Sequence, residues 1–149
     1  MLLMDIGGTN IRTAVANIGS SDLINPLKKN HNNIISIDAL INDFLRKDST
    51  IKHIVFSVAG PKINQSISMT NAELQIDKNY ILENFKLDSC HILNDWESIG
   101  HSLSILKNQE IKFINHGKPF NDTALVLGPG TGLGAALVVG DGVFCRQSL

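Results

Sequence analysis

The chain has 149 residues, 43% of them apolar and 18% charged, with a formal net charge of -1. That composition supports a packed core and excludes wholesale disorder, and so even a balance lacks the positive excess of a nucleic-acid binder. No apolar run approaches the roughly 20 residues of a membrane span. Residues 1–5 have neither the length nor the basic start of a secretion signal. Two widely separated cysteines, Cys90 and Cys145, match neither a disulfide framework nor a zinc ligand set. The expectation is a soluble, cytoplasmic α/β protein with neither nucleic acid nor membrane among its partners.

In chain order, residues 2–6 read as a short buried strand stopped by Gly7-Gly8. Residues 11–18 read as a second strand, with 7–10 the hairpin turn between them. Residues 19–22 make another turn, Lys28-Lys29 a solvated stretch, and residues 32–37 a third strand. Ile37, Leu40, Ile41, Phe44 and Leu45 follow helical spacing, so 37–46 is expected to be an amphipathic helix. Residues 53–59 form a nearly all-apolar run, as in the middle of a sheet covered on both faces, and end at Gly60-Pro61. Residues 80–85 suggest a short helix and 90–93 another buried strand, ending at Asn94-Asp95. Trp96, Ile99, Leu103 and Leu106 share one face of an expected helix over 96–106, with Asp95 as its N-cap. Strands follow at 123–127, 135–139 and 143–145, with a glycine-rich segment at 128–134 and a hairpin turn at 140–142. Strand, Gly-Thr turn, strand thus occurs twice, around residues 5–9 and around 128–134.

Three groups of residues have the chemistry of a site. In Asp5-Ile6-Gly7-Gly8-Thr9-Asn10 a carboxylate ends a buried strand and two glycines follow. Without a Cβ they permit a tight turn, positive φ and close approach of a ligand to backbone N–H groups, the arrangement that receives phosphate oxygens. Asp5 is of the type that holds Mg²⁺, directly or through water. An ordinary Gly/Asn hairpin turn is the plainer reading of the same residues. Gly128-Pro129-Gly130-Thr131-Gly132-Leu133-Gly134 is neither a Walker A loop nor a dinucleotide fingerprint, because no Lys-Ser/Thr pair follows and the chain continues as a strand. Its four glycines exceed what a simple hairpin needs, and Thr131 offers a hydroxyl beside backbone donors. Asn94-Asp95 lies at the carboxyl end of a buried strand, where ligands bind in open α/β sheets. A free aspartate has a pKa of about 3.9, so a carboxylate there is ionised and able to accept a proton; capping the next helix is the alternative use. Weaker candidates are the loop 57–61 and the segment Met69-Thr70-Asn71. The five histidines show no pairing pattern.

The order Asp5-Ile6-Gly7-Gly8-Thr9-Asn10, then Leu93-Asn94-Asp95-Trp96, then Gly128-Pro129-Gly130-Thr131-Gly132-Leu133-Gly134 resembles bacterial glucokinases of the hexokinase, actin and Hsp70-like ATPase superfamily. Val58-Ala59-Gly60-Pro61 and Met69-Thr70-Asn71 fit as intermediate landmarks. The resemblance spans the chain from Leu3 to about Phe144. It implies a ribonuclease H-like (actin-like ATPase) α/β domain with a mixed sheet over residues 1–110, then a linker and the first strands of a second such domain over 111–149. It also implies ATP-dependent phosphorylation of glucose at the 6-hydroxyl, the entry to glycolysis. On this basis Asp5, Gly7, Gly8, Thr9 and Asn10 form one phosphate loop with Asp5 on Mg²⁺, and Gly130, Thr131 and Gly132 form the other. Asp95 is the catalytic base, and Asn94, Asn71 and Gly60 join it around the sugar. The family continues past residue 149 into a Glu-Gly-Gly-His segment and an adenine pocket. The resemblance therefore implies an N-terminal portion, weak or inactive alone and prone to form homodimers or to self-associate. A mannose or amino-sugar kinase, or a non-catalytic sugar sensor on the same fold, is the alternative.

Overall fold

The computed structural model describes residues 1–30, 36–69, 75–118, 121–129 and 133–145. The chain divides into two compact units, Met1–Asn94 and Asp95–Leu149. The expected boundary at 110 thus falls inside the second unit. The helix that begins at Asp95 packs on the strands that follow it, as its contacts with glycines 128 and 134 show.

In the first unit, β1 (Leu2–Ile6), β2 (Asn10–Val15), β3 (Ile24–Asn30), β4 (His53–Val58) and β8 (Ser89–Asn94) form one sheet in the order β3-β2-β1-β4-β8. β1 to β3 are an antiparallel meander, while β4 and β8 run parallel to β1. Parallel neighbours require crossovers. The helices α1 (Ile37–Lys47) and α2 (Lys78–Phe85) lie in the two connections. Three short strands, β5 (Lys62–Ile63), β6 (Ser66–Ser68) and β7 (Gln75–Asp77), make a separate small sheet inside the second crossover. This is the mixed α/β architecture expected of a ribonuclease H-like domain.

Alternation along the strands sends Leu2, Met4 and Ile6, Ile54, Phe56 and Val58, and Cys90 and Ile92 into one core with Ile37, Leu40, Ile41 and Phe44 of α1 and Ile81 and Phe85 of α2. Helical spacing on α1 and period-two spacing on the strands meet there, which is why both patterns were readable. Ser36 caps α1 by accepting from the Ala39 N–H at 3.0 Å, and Asp77 caps α2 by accepting from the Tyr80 N–H at 2.9 Å.

Two elements differ from the sequence reading. β3 (Ile24–Asn30) is a strand that the sequence did not suggest; of the strand expected over 32–37, residues 32–35 lie outside the described residues, and Ser36 and Ile37 are the cap and first residue of α1. Every residue of β3 is exposed. Its polar sequence carries no burial pattern, and it is an edge strand held by pairing to β2, where Pro26 is tolerated and Lys28 and Lys29 protect the edge. The expected helix over 96–106 is α3 (Asp95–Ser102) followed by a 3-10 turn, Leu103–Ile105. Ile99 and Leu106 are exposed. The face used by α3 is instead that of Trp96 and Gly100, four residues apart.

In the second unit β9 (Thr123–Pro129), β10 (Leu133–Val139) and β11 (Gly142–Cys145) form an antiparallel meander in the order β11-β10-β9. It repeats the β1-β2-β3 pattern, in keeping with the sequence echo. α3 covers one face, with Gly100 against Val143, Val138 and Ala136. Among the described residues no helix is long and apolar enough to cross a membrane.

Candidate active site

The turn after β1 is closed by the Gly7 N–H donating to the Asn10 carbonyl at 2.9 Å. A Cβ on Gly7 would stand 3.3 Å from that carbonyl oxygen, so the residue is held small by the turn itself. Gly8 differs: a Cβ there would meet nothing within 4 Å, and Gly8 and Thr9 are exposed. The positive φ anticipated for these glycines is absent, since the described glycines with positive φ are Gly19 and Gly140. The turn closes in ordinary backbone conformations, and what Gly8 contributes is an open approach to the main chain.

Asp5 does not project alone. Strand register places Arg12 of β2 and Ser57 of β4 on either side of it. Arg12 Nη1 lies 2.7 Å from Asp5 Oδ2, and the Ser57 hydroxyl lies 3.5 Å from Oδ1. Both members of the ion pair are half-exposed, so the pair is weak and exchangeable. One carboxylate oxygen is thus taken by a cation and the other faces a hydroxyl. A single exposed carboxylate suits Mg²⁺, which keeps most of its waters. Among the described residues no cluster of three or more His, Cys, Asp or Glu is placed to hold a metal. Arg12 was missed at the sequence level because the cross-strand partner of Asp5 depends on the hairpin register.

Asn94 ends β8 and is almost completely buried. Its Nδ2 donates to the Gly60 carbonyl at 3.0 Å, so the structure brings together two of the expected sugar-site residues. A Cβ on Gly60 would fall 2.2 Å from the Ser68 carbonyl oxygen. Gly60 therefore lets two backbone segments touch, and the Asn94 amide ties the loop after β4 to the end of β8. Asn71, the fourth residue of that set, lies outside the described residues.

Asp95 is the first residue of α3, and its Oδ1 accepts from the Trp96 N–H at 2.9 Å. Trp96 is the only tryptophan in the chain. Its indole lies against Gly128 and Gly134, which are cross-strand partners. A Cβ on Gly128 would be 1.6 Å from Cη2 and one on Gly134 1.7 Å from Nε1. The outer two glycines of the 128–134 segment are thus seats for this ring, which answers why a hairpin there has so many. The ring also fixes the start of α3, and so Asp95, against the strands that carry the loop. Gly130, Thr131 and Gly132 at its tip lie outside the described residues. Cys145 of β11 is a further neighbour that spacing did not disclose. Its Sγ donates to the Ala135 carbonyl at 3.2 Å. Burial pushes its thiol above the ordinary value, and the negative charges of Asp95 and Glu97 add to the shift.

The glucokinase family model matches residues 2–145. A glucokinase from Colwellia psychrerythraea is 32% identical over 143 residues, covering 93% of this chain and 43% of the relative. The crystal structure of a glucokinase from an Antarctic psychrotroph superposes with a TM-score of 0.85 at 23% identity, over 98% of this chain and 49% of that one. A ROK family glucokinase from Streptomyces griseus, solved with glucose and AMPPNP, superposes with a TM-score of 0.63 at 14% identity, over 99% of this chain and 46% of that one. The chain thus spans a little over two fifths of the length of the curated relative. With its family model matched from residue 2 to residue 145, and with the sheet order in place, the chain belongs to the glucokinase family.

Proposed function

We propose that this chain supplies the nucleotide-phosphate side and the catalytic base of an ATP-dependent hexose kinase that converts glucose and ATP to glucose 6-phosphate and ADP. The observation that carries the reading is the seating of Trp96 on Gly128 and Gly134, which couples Asp95 to the second glycine turn. A base and a phosphate loop built as one piece are what phosphoryl transfer needs, since the reaction depends on positioning and charge neutralisation. The Streptomyces griseus relative, described as bound to glucose and AMPPNP, supports the same pair of substrates.

In this reading Asp95 accepts the proton of the glucose 6-hydroxyl as the oxygen attacks the γ-phosphorus. Asn94 holds the strand end beside it, with Gly60 and Asn71 completing the sugar side. Gly7, Gly8, Thr9 and Asn10 would form one set of backbone and hydroxyl donors to the phosphates, and Gly130, Thr131 and Gly132 a second. Mg²⁺ would be held by Asp5, through Oδ1 or a bound water, and would neutralise phosphate charge. The setting is cytoplasmic sugar metabolism, at the entry to glycolysis, without nucleic acid or membrane. The 149-residue chain alone is expected to turn over weakly or not at all, because both substrates must be held in near-attack geometry.

Asp95→Asn in the intact enzyme tests the assignment. It should lower kcat by about 10²–10⁴, the usual share of general-base transfer, with little change in KM for glucose. Near-normal kcat in an assay coupled to glucose 6-phosphate would remove Asp95 from this role.

A further inference from the structure

α3 begins at Asp95, and the N–H groups of its first turn have no acceptor within the helix. Two of them find one elsewhere. The Trp96 N–H donates to Asp95 Oδ1 at 2.9 Å. The Glu97 N–H donates to the sulfur of Cys145, on β11. The same thiol donates its own hydrogen to the Ala135 carbonyl of β10 at 3.2 Å. A thiol is a weak donor and a weak acceptor, and Cys145 uses both capacities at once. Register brings it there: Cys145 pairs with Ala136, and Ala136 in turn lies against Gly100 of α3. The sulfur is therefore a joint between the sheet and the first turn of the helix. Burial pushes the thiol above its ordinary value, and the negative charges of Asp95 and Glu97 push it further. It stays protonated at neutral pH and keeps the hydrogen that Ala135 accepts.

We infer that Cys145 is a positioning residue for Asp95, holding the first turn of α3 to the sheet and so fixing the direction of the carboxylate; this rests on the reading of Asp95 as the base. The turn is pinned at two separate places. The Trp96 ring is seated on Gly128 and Gly134, and the Glu97 main chain is held by Cys145. One pin alone leaves the turn free to pivot about it, and the second removes that freedom. Asp95 follows the turn because its Oδ1 is bound to the Trp96 N–H. Near-attack geometry is sensitive to such shifts: a misplacement of about 1 Å costs on the order of 10²-fold in rate.

The test is made in the intact enzyme with two substitutions that separate hydrogen bonding from packing. Cys145→Val fills nearly the same space without a donor or acceptor, and Cys145→Ser keeps both. Cys145→Val should lower kcat by roughly tenfold, inside the range that misplacement allows, with KM for glucose and ATP little changed. Cys145→Ser should recover most of that loss. In an Asp95→Asn background Cys145→Val should make no further difference, because its effect passes through the carboxylate. Far-ultraviolet circular dichroism checks the fold of each variant, and Cys145→Ala takes the place of the valine variant if that one does not fold. Near-normal kcat in Cys145→Val overturns the inference. So does a valine variant more active than the serine one, which would make the role one of packing, or an equal loss in both backgrounds, which would make it general to the fold. Near-normal kcat in Asp95→Asn alone is a different failure: it would unseat the base itself, and the inference with it.

Discussion

The seat of Trp96 on Gly128 and Gly134 can be disturbed with a single methyl group. In Gly134→Ala the new Cβ would lie 1.7 Å from Trp96 Nε1, 1.8 Å from Cε2 and 2.4 Å from Cδ1. All three distances are far inside van der Waals contact, and they lie along the rigid ring rather than at a flexible tip. The indole must lift by about 2 Å or swing out. Overpacking of this kind costs about 1–3 kcal/mol, and the upper limit is set by expelling the ring, about 3–5 kcal/mol. Because Trp96 is the sole tryptophan, its emission reports on this contact without other contributions. Gly134→Ala should shift the emission to the red before any denaturant is added and lower the urea midpoint followed by fluorescence. The same alanine in a Trp96→Ala background, followed by circular dichroism, should cost much less. The coupling energy of that cycle is expected at about 1–3 kcal/mol. Unchanged emission and midpoint in Gly134→Ala, or a coupling near zero, would mean that the ring does not occupy the glycine seat.

Gly8 has nothing within 4 Å of where a Cβ would be, so Gly8→Val should fold normally yet block close approach of phosphate to the backbone. Calorimetry on the intact enzyme should show weaker ATP binding with glucose binding little changed. Asp77 accepts from the Ser66 hydroxyl and the Tyr80 N–H, which hold its carboxyl below the usual value. A depressed folded pKa stabilises the fold above the unfolded value of about 3.9 and loses that contribution as pH falls through the folded one. The stability difference between wild type and Asp77→Asn in urea titrations should therefore be largest at neutral pH and shrink in acid. Burial pushes the Cys90 thiol up to about 11, and Cys145 is raised by burial, then by Asp95 and Glu97. Iodoacetamide should label the native chain slowly at both sites. Asp95→Asn should speed labelling of Cys145 and leave Cys90 unchanged, as peptide mass spectrometry would show.

Periodicity made α1 and β4 legible, because Ile37, Leu40, Ile41 and Phe44 and the run 53–58 bury side chains at the spacing of their own element. It left β3 hidden, because an exposed edge strand is held by main-chain pairing that no side-chain pattern records. The strands of two and three residues at 62–77 are too short to show alternation. The glycine turns stood out as composition, but their roles did not. Gly60, Gly128 and Gly134 are small because a carbonyl or a ring presses on them, whereas Gly8 faces open space. Only tertiary contacts separate these cases. Likewise Asp5 was identifiable from its strand end, while Arg12 became its partner through register.

The place of β1 in its sheet has a bearing on how the chain acquires its structure. β1 precedes its four sheet neighbours in the chain, yet it lies third of five, between β2 and β4. Its pairing with β2 is a local hairpin, Ile6 facing Ile11 across four intervening residues, and such hairpins close in about 1–10 μs. Its other edge pairs Leu2 with Ile54 and Ile6 with Val58, contacts that carry a large loop-closure entropy and set the slow end of folding. During synthesis the β1–β2 hairpin would therefore be available long before its parallel neighbour, with one apolar strand edge open in the meantime. Substitutions that weaken α1, the element that closes this crossover, should slow folding more than they speed unfolding, a kinetic signature separate from any effect on the site.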